Sequence, residues 1–129
     1  MATGVSSSCH FLGPLSGLNK WAALAAADIF VLPSYQENFA IALVEALSVG
    51  TPALISQRVN IWGEIEAANA GCVTDLNPAT IAKKLTGLLD GTVDLKEMGL
   101  HAQKFAKSTY NWQDSAKKLL CDYASLLPE

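Results

Sequence analysis

Two kinds of apolar segment take turns along this chain: short solid runs bounded by turn residues, and longer stretches whose apolar positions recur at helical spacing. Ile29–Leu32 is a solid run between Asp28 and Pro33, the pattern of a strand buried on both faces. Ala53–Ser56 and Cys72–Asp75 repeat the pattern, and Cys9–Leu12, ended by Gly13–Pro14, predicts a further strand. The intervening stretches predict helices. Ser16 precedes one from Gly17 to Ala27, with Leu18, Trp21, Leu24 and Ala25 on one side. Phe39–Val49 is apolar all round except for Glu45 and Ser48 and stops at Gly50, which predicts a buried helix with a glycine C-terminal signal. Asn60 opens a short helix through Ala68, ended by Gly71. Asn77–Pro78 supplies an N-cap and a proline at the first helical position, opening a helix to Leu89 with Ile81, Leu85 and Leu88 inward. Asp94 and Glu97 form a capping-box pattern before Leu95–Thr109. Asn111 then starts a last helix through Leu127, with Ala116, Leu119, Leu120, Tyr123 and Leu127 on one stripe.

Short apolar strands alternating with helices predict an α/β fold, a doubly wound parallel sheet of about four strands with extra helices at the C-terminal end. Residues 1–8 read as a polar tail or cut end, residues 9–110 as the layered domain, and residues 111–129 as a separate helix. Four strands are few for such a sheet. One edge is expected to lack a neighbour, so the chain reads as part of a larger protein. Composition narrows the classes further. With 129 residues, 50% apolar and 16% charged, one soluble globular core is expected. A net charge of −3 with nine Lys and Arg argues against a nucleic-acid partner, which needs clustered cations. Cys9, Cys72 and Cys121 are odd in number and far apart, without metal-ligand spacing. No bilayer-spanning run or signal peptide is visible, and a reducing cytoplasmic location fits, with a peripheral membrane placement open to a full-length form.

In open parallel sheets, ligands bind beyond the carboxyl ends of the strands. The loops that qualify are Gly13–Ser16, Ser34–Asn38, Gln57–Asn60 and Leu76–Asn77. The second is the most loaded, because it leads into the positive end of a buried helix whose first free amides are those of Phe39, Ala40 and Ile41. Such an end suits phosphate or a sugar hydroxyl. Glu45 is the only charge between Glu37 and Arg58 and lies within an apolar helix, so its carboxylate must meet a polar ligand or a protein donor. Eight residues of helix rise about 12 Å, too far for a glycosidase pair at about 5–9.5 Å. The two glutamates suit the two ends of one extended ligand. An equally simple reading makes Glu37 a solvated loop acid near a helix start and Glu45 a core acid tying its helix to a neighbour, and spacing alone leaves both open.

The run from Ala25 to Ser56, with the buried strand, P-S-x-x-E, Phe39, E-A-L and G-x-P, resembles the donor-binding core of the retaining GT-B glycosyltransferases of family 4, with an E-x7-E motif at Glu37 and Glu45. The likeness extends from His10–Gly13 to Tyr110–Trp112. It implies a partial Rossmann-like domain that binds a nucleotide-diphosphate sugar, in a full-length enzyme that transfers a hexose to an acceptor with retention. Glu37 would orient the donor sugar as the candidate catalytic residue. The amides of Asn38, Phe39, Ala40 and Ile41 would face sugar and diphosphate, Glu45 would accept from ribose hydroxyls, and Gly13, Pro14 and Leu15 would lie near the base. The resemblance implies no metal and no cofactor, and partners consisting of the nucleotide-sugar donor and an acceptor-binding N-terminal domain not represented here. The last helix would cross toward that domain, and the chain alone is expected to be inactive and to self-associate through its open sheet edge or last helix. Two departures stand out. Ala40 occupies a position usually held by glycine, and the family's diphosphate-neutralising Arg and Lys precede the segment, leaving only Lys20 and Arg58 as cations in residues 1–80. A non-catalytic nucleotide-sugar-binding or self-associating module, and a GT-B epimerase fragment, are the alternatives.

The remaining residues read more plainly. His10 is expected to pack or sit at an edge, and His101 to be solvated. Trp21, Trp62 and Trp112 read as core or interface aromatics rather than sugar platforms, Trp62 least clearly because it follows a carboxyl-edge loop. Lys83, Lys84, Lys104, Lys107, Lys117 and Lys118 are expected on solvated helix faces. The absence of G-x-G-x-x-G, a P-loop and D-x-D disfavours nicotinamide, P-loop and metal-dependent chemistry.

Overall fold

The computed structural model describes residues 4–126. Its elements run α1 (Gly17–Ala26), β1 (Phe30–Leu32), α2 (Ile41–Ser48), β2 (Ala53–Ser56), α3 (Trp62–Ala67), β3 (Gly71–Thr74), α4 (Pro78–Leu89), α5 (Leu95–Thr109) and α6 (Trp112–Leu126), after a short 3-10 turn at Ser6–Ser8. The strands form one parallel sheet in the order β1-β2-β3. Phe30, Val31 and Leu32 lie opposite Ala53, Leu54 and Ile55, and Ala53–Ser56 lies opposite Gly71–Thr74. Parallel neighbours need a crossover, and α2 and α3 supply the two here. This is the expected α/β architecture.

Every residue of β2 is buried, so the central strand is covered on both faces. Leu43 and Leu47 of α2 pack with Ile55, Val59, Ile65, Ala102 and Ala106 into the main core, each fully buried leucine contributing about 1.5–3 kcal/mol over an exposed one. Helix α5 reaches this core because it carries glycine at residue 99, where a Cβ would overlap the carbonyl oxygen of Gly50 at the end of α2. Local capping chemistry sets the later helices. Asn77 Oδ1 accepts from the Ala79 amide at 2.9 Å, Asp94 Oδ1 from the amides of Lys96 and Glu97 at 3.0 Å, and Asn111 Oδ1 from the amide of Asp114 at 2.8 Å.

Several expectations are corrected. Cys9–Leu12 forms no strand, and Phe11 is fully exposed, because an extended segment without a ladder partner leaves its amides to water. The sheet therefore has three strands among the described residues instead of about four. Strand β1 is shorter than Ile29–Leu32 and is not buried on both faces, since it is an edge and Val31 is exposed. Helix α2 starts at Ile41 instead of Phe39. Ile61, not Asn60, precedes α3, and the stop after it is Asn69, whose φ of 51° is left-handed, while Gly71 already belongs to β3. Leu18 and Ala25 of α1 are exposed. Trp21, Trp62 and Trp112 are all exposed, which removes the core half of the core-or-interface expectation; His10 is exposed and outside any strand, neither packed nor at a sheet edge; and His101 is half-buried rather than solvated. Lys84 donates to the carbonyl of Val73, tying α4 to β3. Helix α6 buries none of its residues, so its apolar stripe at Leu119, Leu120 and Tyr123 is uncovered. Leu127 lies outside the described residues.

Candidate functional site

The loop after β1 is stitched to the loop after β2. Ser56 Oγ donates to the carbonyl of Ser34, the Glu37 amide donates to the carbonyl of Arg58 at 3.2 Å, and the Asn60 amide donates to the carbonyl of Glu37 at 3.0 Å. Glu37 and Val59 form an isolated parallel bridge, which carries the β1–β2 pairing past the strand ends. The chain then turns into α2 through Ala40, which sits left-handed at φ 54° and ψ 63° and is 7% exposed. Its carbonyl accepts from the amides of Leu43 and Val44 at 2.9 and 3.2 Å.

No side chain caps α2, unlike α4 and α5. The amides of Asn38, Phe39, Ala40, Ile41 and Ala42 donate to nothing among the described residues. Unsatisfied amides at the positive end of a helix are what an anion or a hydroxyl oxygen would accept from. The sequence placed this free end at Phe39–Ile41, and the structure extends it to Ala42.

One turn along the same helix, Glu45 Oε1 accepts from Lys20 Nζ at 2.6 Å, the side chains being 23% and 34% exposed. Lys20 also stands 4.7 Å from the centroid of the Trp21 ring. Glu45 Oε2 has no partner among the described residues. The ion pair therefore answers how a charge is tolerated in α2 and still leaves acceptor capacity, because a carboxylate offers about four lone-pair sites. The sequence shows Lys20 as one of only two cations in residues 1–80 and does not pair it with Glu45. The signal for the pair lay in complementarity, one lone charge in each of two otherwise uncharged helices.

In front of Glu45 opens a cleft of about 540 Å³, lined among others by Trp21, Phe39, Ile41, Tyr110 and Trp112. Phe39 meets Tyr110 edge-on at 5.2 Å between centroids, and Tyr110 meets Phe105 at 5.6 Å in the same manner. Tyr110 Oη donates to Glu64 Oε2 at 3.1 Å. Burial first, then that hydrogen bond and the nearby carboxylate charge, push the Tyr110 phenol up to about 12. The aromatic wall from the α5–α6 junction was not legible, since Tyr110 and Trp112 are remote in sequence from Phe39.

Of the predicted site residues, Phe39, Ile41 and Glu45 line this cleft and Ala40 fixes its helix end. Glu37 is half-buried, makes no side-chain hydrogen bond or ion pair among the described residues, and is not part of the cleft wall. Asn38 is exposed. Gly13, Pro14 and Leu15 are not part of the cleft wall either; Gly13 and Pro14 are exposed and Leu15 half-buried, with Gly13 at φ 67°. The cleft wall thus joins the α2 residues and does not include the Gly13–Leu15 segment. Among the described residues no group of three or more His, Cys, Asp or Glu is placed to hold a metal ion, and no helix is long and apolar enough to cross a membrane.

Residues 1–112 match the family described as glycosyl transferases group 1. Among curated proteins, the chain is 28% identical over 123 residues to an MMP alpha-(1->4)-mannosyltransferase of Mycolicibacterium hassiacum, covering 93% of this chain and 30% of that protein. It is 31% identical over 127 residues to a D-inositol 3-phosphate glycosyltransferase of Nocardia farcinica, covering 98% of this chain and 28% of that protein. The chain thus spans less than a third of the length of these relatives. Among solved structures, WaaG, a glycosyltransferase involved in lipopolysaccharide biosynthesis, matches with a TM-score of 0.71 at 27% identity over 83% of this chain and 29% of its own. Sucrose-phosphate synthase from Thermosynechococcus elongatus shares the fold, with a TM-score of 0.86 at 20% identity over 95% of this chain and 31% of its own.

Proposed function

Because the chain belongs to the glycosyl transferases group 1 family, we propose that it is the donor-binding part of a GT-B enzyme of the family 4 type, holding a nucleotide-diphosphate sugar for transfer with retained configuration. The observation that carries this reading is the uncapped, amide-rich start of α2 standing beside a cleft that ends on the half-engaged Glu45. The diphosphate takes the helix end, where free amides and the helix dipole favour negative charge. Ribose hydroxyls donate to Glu45 Oε2 while Lys20 keeps Oε1 occupied and the carboxylate oriented. Glu37 lies one loop away and orients the sugar hydroxyls.

In the transfer itself, an acceptor hydroxyl oxygen bonds to the anomeric carbon as the bond from that carbon to the diphosphate oxygen breaks. The electron pair leaves with the nucleoside diphosphate, and the acceptor proton goes to the leaving phosphate oxygen or to solvent. Charge that develops on the leaving group meets the α2 amides, and preorganised donors of this kind are usually the largest single contribution to such a rate. The whole reaction belongs to a longer protein, of which this chain contributes the donor side.

Calorimetric titration of the chain with UDP, GDP and ADP tests the reading. One nucleoside diphosphate is expected to bind, and Glu45→Gln to weaken it at least tenfold with the fold retained by circular dichroism. Equal affinity of the wild type and Glu45→Gln would remove the ribose role, and binding of none of the three would remove the donor site.

A further inference from the structure

A second cleft, of about 310 Å³, opens at the carboxyl edge of the sheet and shares no residue with the Glu45 cleft. Its walls are Tyr35 and Gln36 from the loop after β1, Gln57 and Arg58 from the loop after β2, and Asn60 and Trp62 at the start of α3. The composition is unlike that of the first cleft: three side chains carrying amide groups, one guanidinium and two rings. Among the described residues, the side chains of Gln36, Gln57, Arg58 and Asn60 make no hydrogen bond or ion pair to any other group, so their donors and acceptors are uncommitted. Tyr35 is 82% exposed and Trp62 is 37% exposed, leaving both rings available for contact.

The floor beneath these side chains is fixed. The Ser56 hydroxyl donates to the Ser34 carbonyl and accepts from the Arg58 amide at 3.3 Å, the Glu37 and Asn60 amides bond across between the loops, and the Trp62 amide donates to the Val59 carbonyl at 2.9 Å. A ligand would therefore meet a frame already held in place, which lowers the ordering cost of binding. Amide groups match sugar hydroxyls as both donors and acceptors. Aromatic rings supply apolar area with a polar tip, and a guanidinium offers a fixed fork of donors to a carboxylate or phosphate.

We infer that this cleft binds a hexose carrying an anionic substituent, a carboxylate or a phosphate, with Arg58 on the anion and Trp62 and Tyr35 against the ring. The inference needs only the cleft itself. It also fits the donor-site reading, because the backbone of Glu37 is hydrogen-bonded directly to Arg58 and Asn60, which puts the anionic sugar beside the residue assigned to the donor sugar.

The test is titration of the chain, followed by amide and indole NMR, with glucose, glucuronic acid, glucose 6-phosphate and inorganic phosphate as separate probes. Glucuronic acid and glucose 6-phosphate are expected to shift the Trp62 indole and the Arg58 amide, and to bind at least tenfold more tightly than glucose or inorganic phosphate. Arg58→Gln should bring both anionic sugars down to the affinity of glucose, and Trp62→Ala should weaken all three sugars. Affinity for glucose equal to that for both anionic sugars overturns the inference, as does inorganic phosphate binding as tightly as the better-bound anionic sugar, or an Arg58→Gln chain that binds unchanged. Preference for only one of the two anionic sugars supports it and identifies the substituent. A parallel titration with whichever of UDP, GDP and ADP the wild type binds keeps the two sites apart: Glu45→Gln should weaken that nucleoside diphosphate and leave the anionic sugar unchanged, so failure of either site shows without the other.

Discussion

Replacing Ala40 by glycine should leave the stability of the chain almost unchanged, although the residue is only 7% exposed and opens a core helix. Three contributions decide this. A left-handed conformation costs an L-residue roughly 1–2 kcal/mol, which glycine does not incur. Glycine's additional freedom in the unfolded chain costs about 0.4–1 kcal/mol, and removing one buried methyl costs about 0.8 kcal/mol. The gain and the two losses cancel to within about 1 kcal/mol. Ala46 is the proper control, because it is buried in the interior of the same helix. Glycine there loses the same methyl and about 1 kcal/mol of helix propensity with no strain to relieve, a cost of nearly 2 kcal/mol.

Urea unfolding of the three chains measures the difference. With a slope of about 2 kcal/mol per molar, within the usual range, the Ala46→Gly midpoint should fall about 0.9 M below that of the wild type. The Ala40→Gly midpoint should stay near the wild type, with the slope unchanged in both. Equal destabilisation by the two substitutions would refute the reasoning, since it would mean that Ala40 stores no backbone strain at the helix entry.

Other outcomes follow from the same geometry. In a full-length parent, Glu37→Gln should lower turnover by at least tenfold with little change in nucleoside diphosphate affinity, read as kcat against calorimetric Kd, because contacts to sugar hydroxyls act on alignment of the reacting carbon. Tyr110 should titrate near pH 12 by ultraviolet difference absorbance; since its proton is held more tightly folded than unfolded, its contribution to stability is full below about pH 10 and lost as pH rises toward 12, and Tyr110→Phe should flatten that part of the stability profile. The isolated chain should self-associate through the free edge of β1, the uncovered stripe of α6, or both; light scattering showing a monomer up to millimolar concentration would mean that neither surface is sticky.

What the sequence disclosed divides by the range of the interactions. The start of α4 at Asn77–Pro78 and the starts of α5 and α6 at Asp94 and Asn111 were legible to the residue, because each cap bonds to an amide only two or three positions on. Cys9–Leu12 has the composition of a strand, but strand formation depends on a neighbour, and no local pattern reports whether one is present. Gly71, placed by the sequence as the end of the helix before it, is glycine because a Cβ there would overlap the carbonyl oxygen of Ala53 across the sheet. The departure at Ala40 was visible, and the left-handed φ now explains why glycine is the expected occupant of that position. The α2 end of the candidate site was legible for the same reason as the caps, being a local helix start. The Lys20–Glu45 pair and the wall from Tyr110 and Trp112 come from distant segments and were not.

The placement of charge ties the two clefts together. Lys20 and Arg58 are the only cations before Lys83, and the fold puts Lys20 against a residue of one cleft and Arg58 in the wall of the other. They are not equivalent there. Lys20 is neutralised by Glu45, so among the described residues the larger cleft offers no free cation of its own, and attraction for an anion comes from the amides at the start of α2. Arg58 has no acidic partner among the described residues, so its cleft keeps a net positive group at the surface. Exposed charge is screened over roughly 8 Å at physiological salt, and oriented amides in direct contact with a ligand are screened less. Affinity for an anionic sugar at Arg58 should therefore fall more steeply with added sodium chloride than affinity for a nucleoside diphosphate at α2. The two slopes, measured on one sample, separate a site made by a free cation from one made by a helix end.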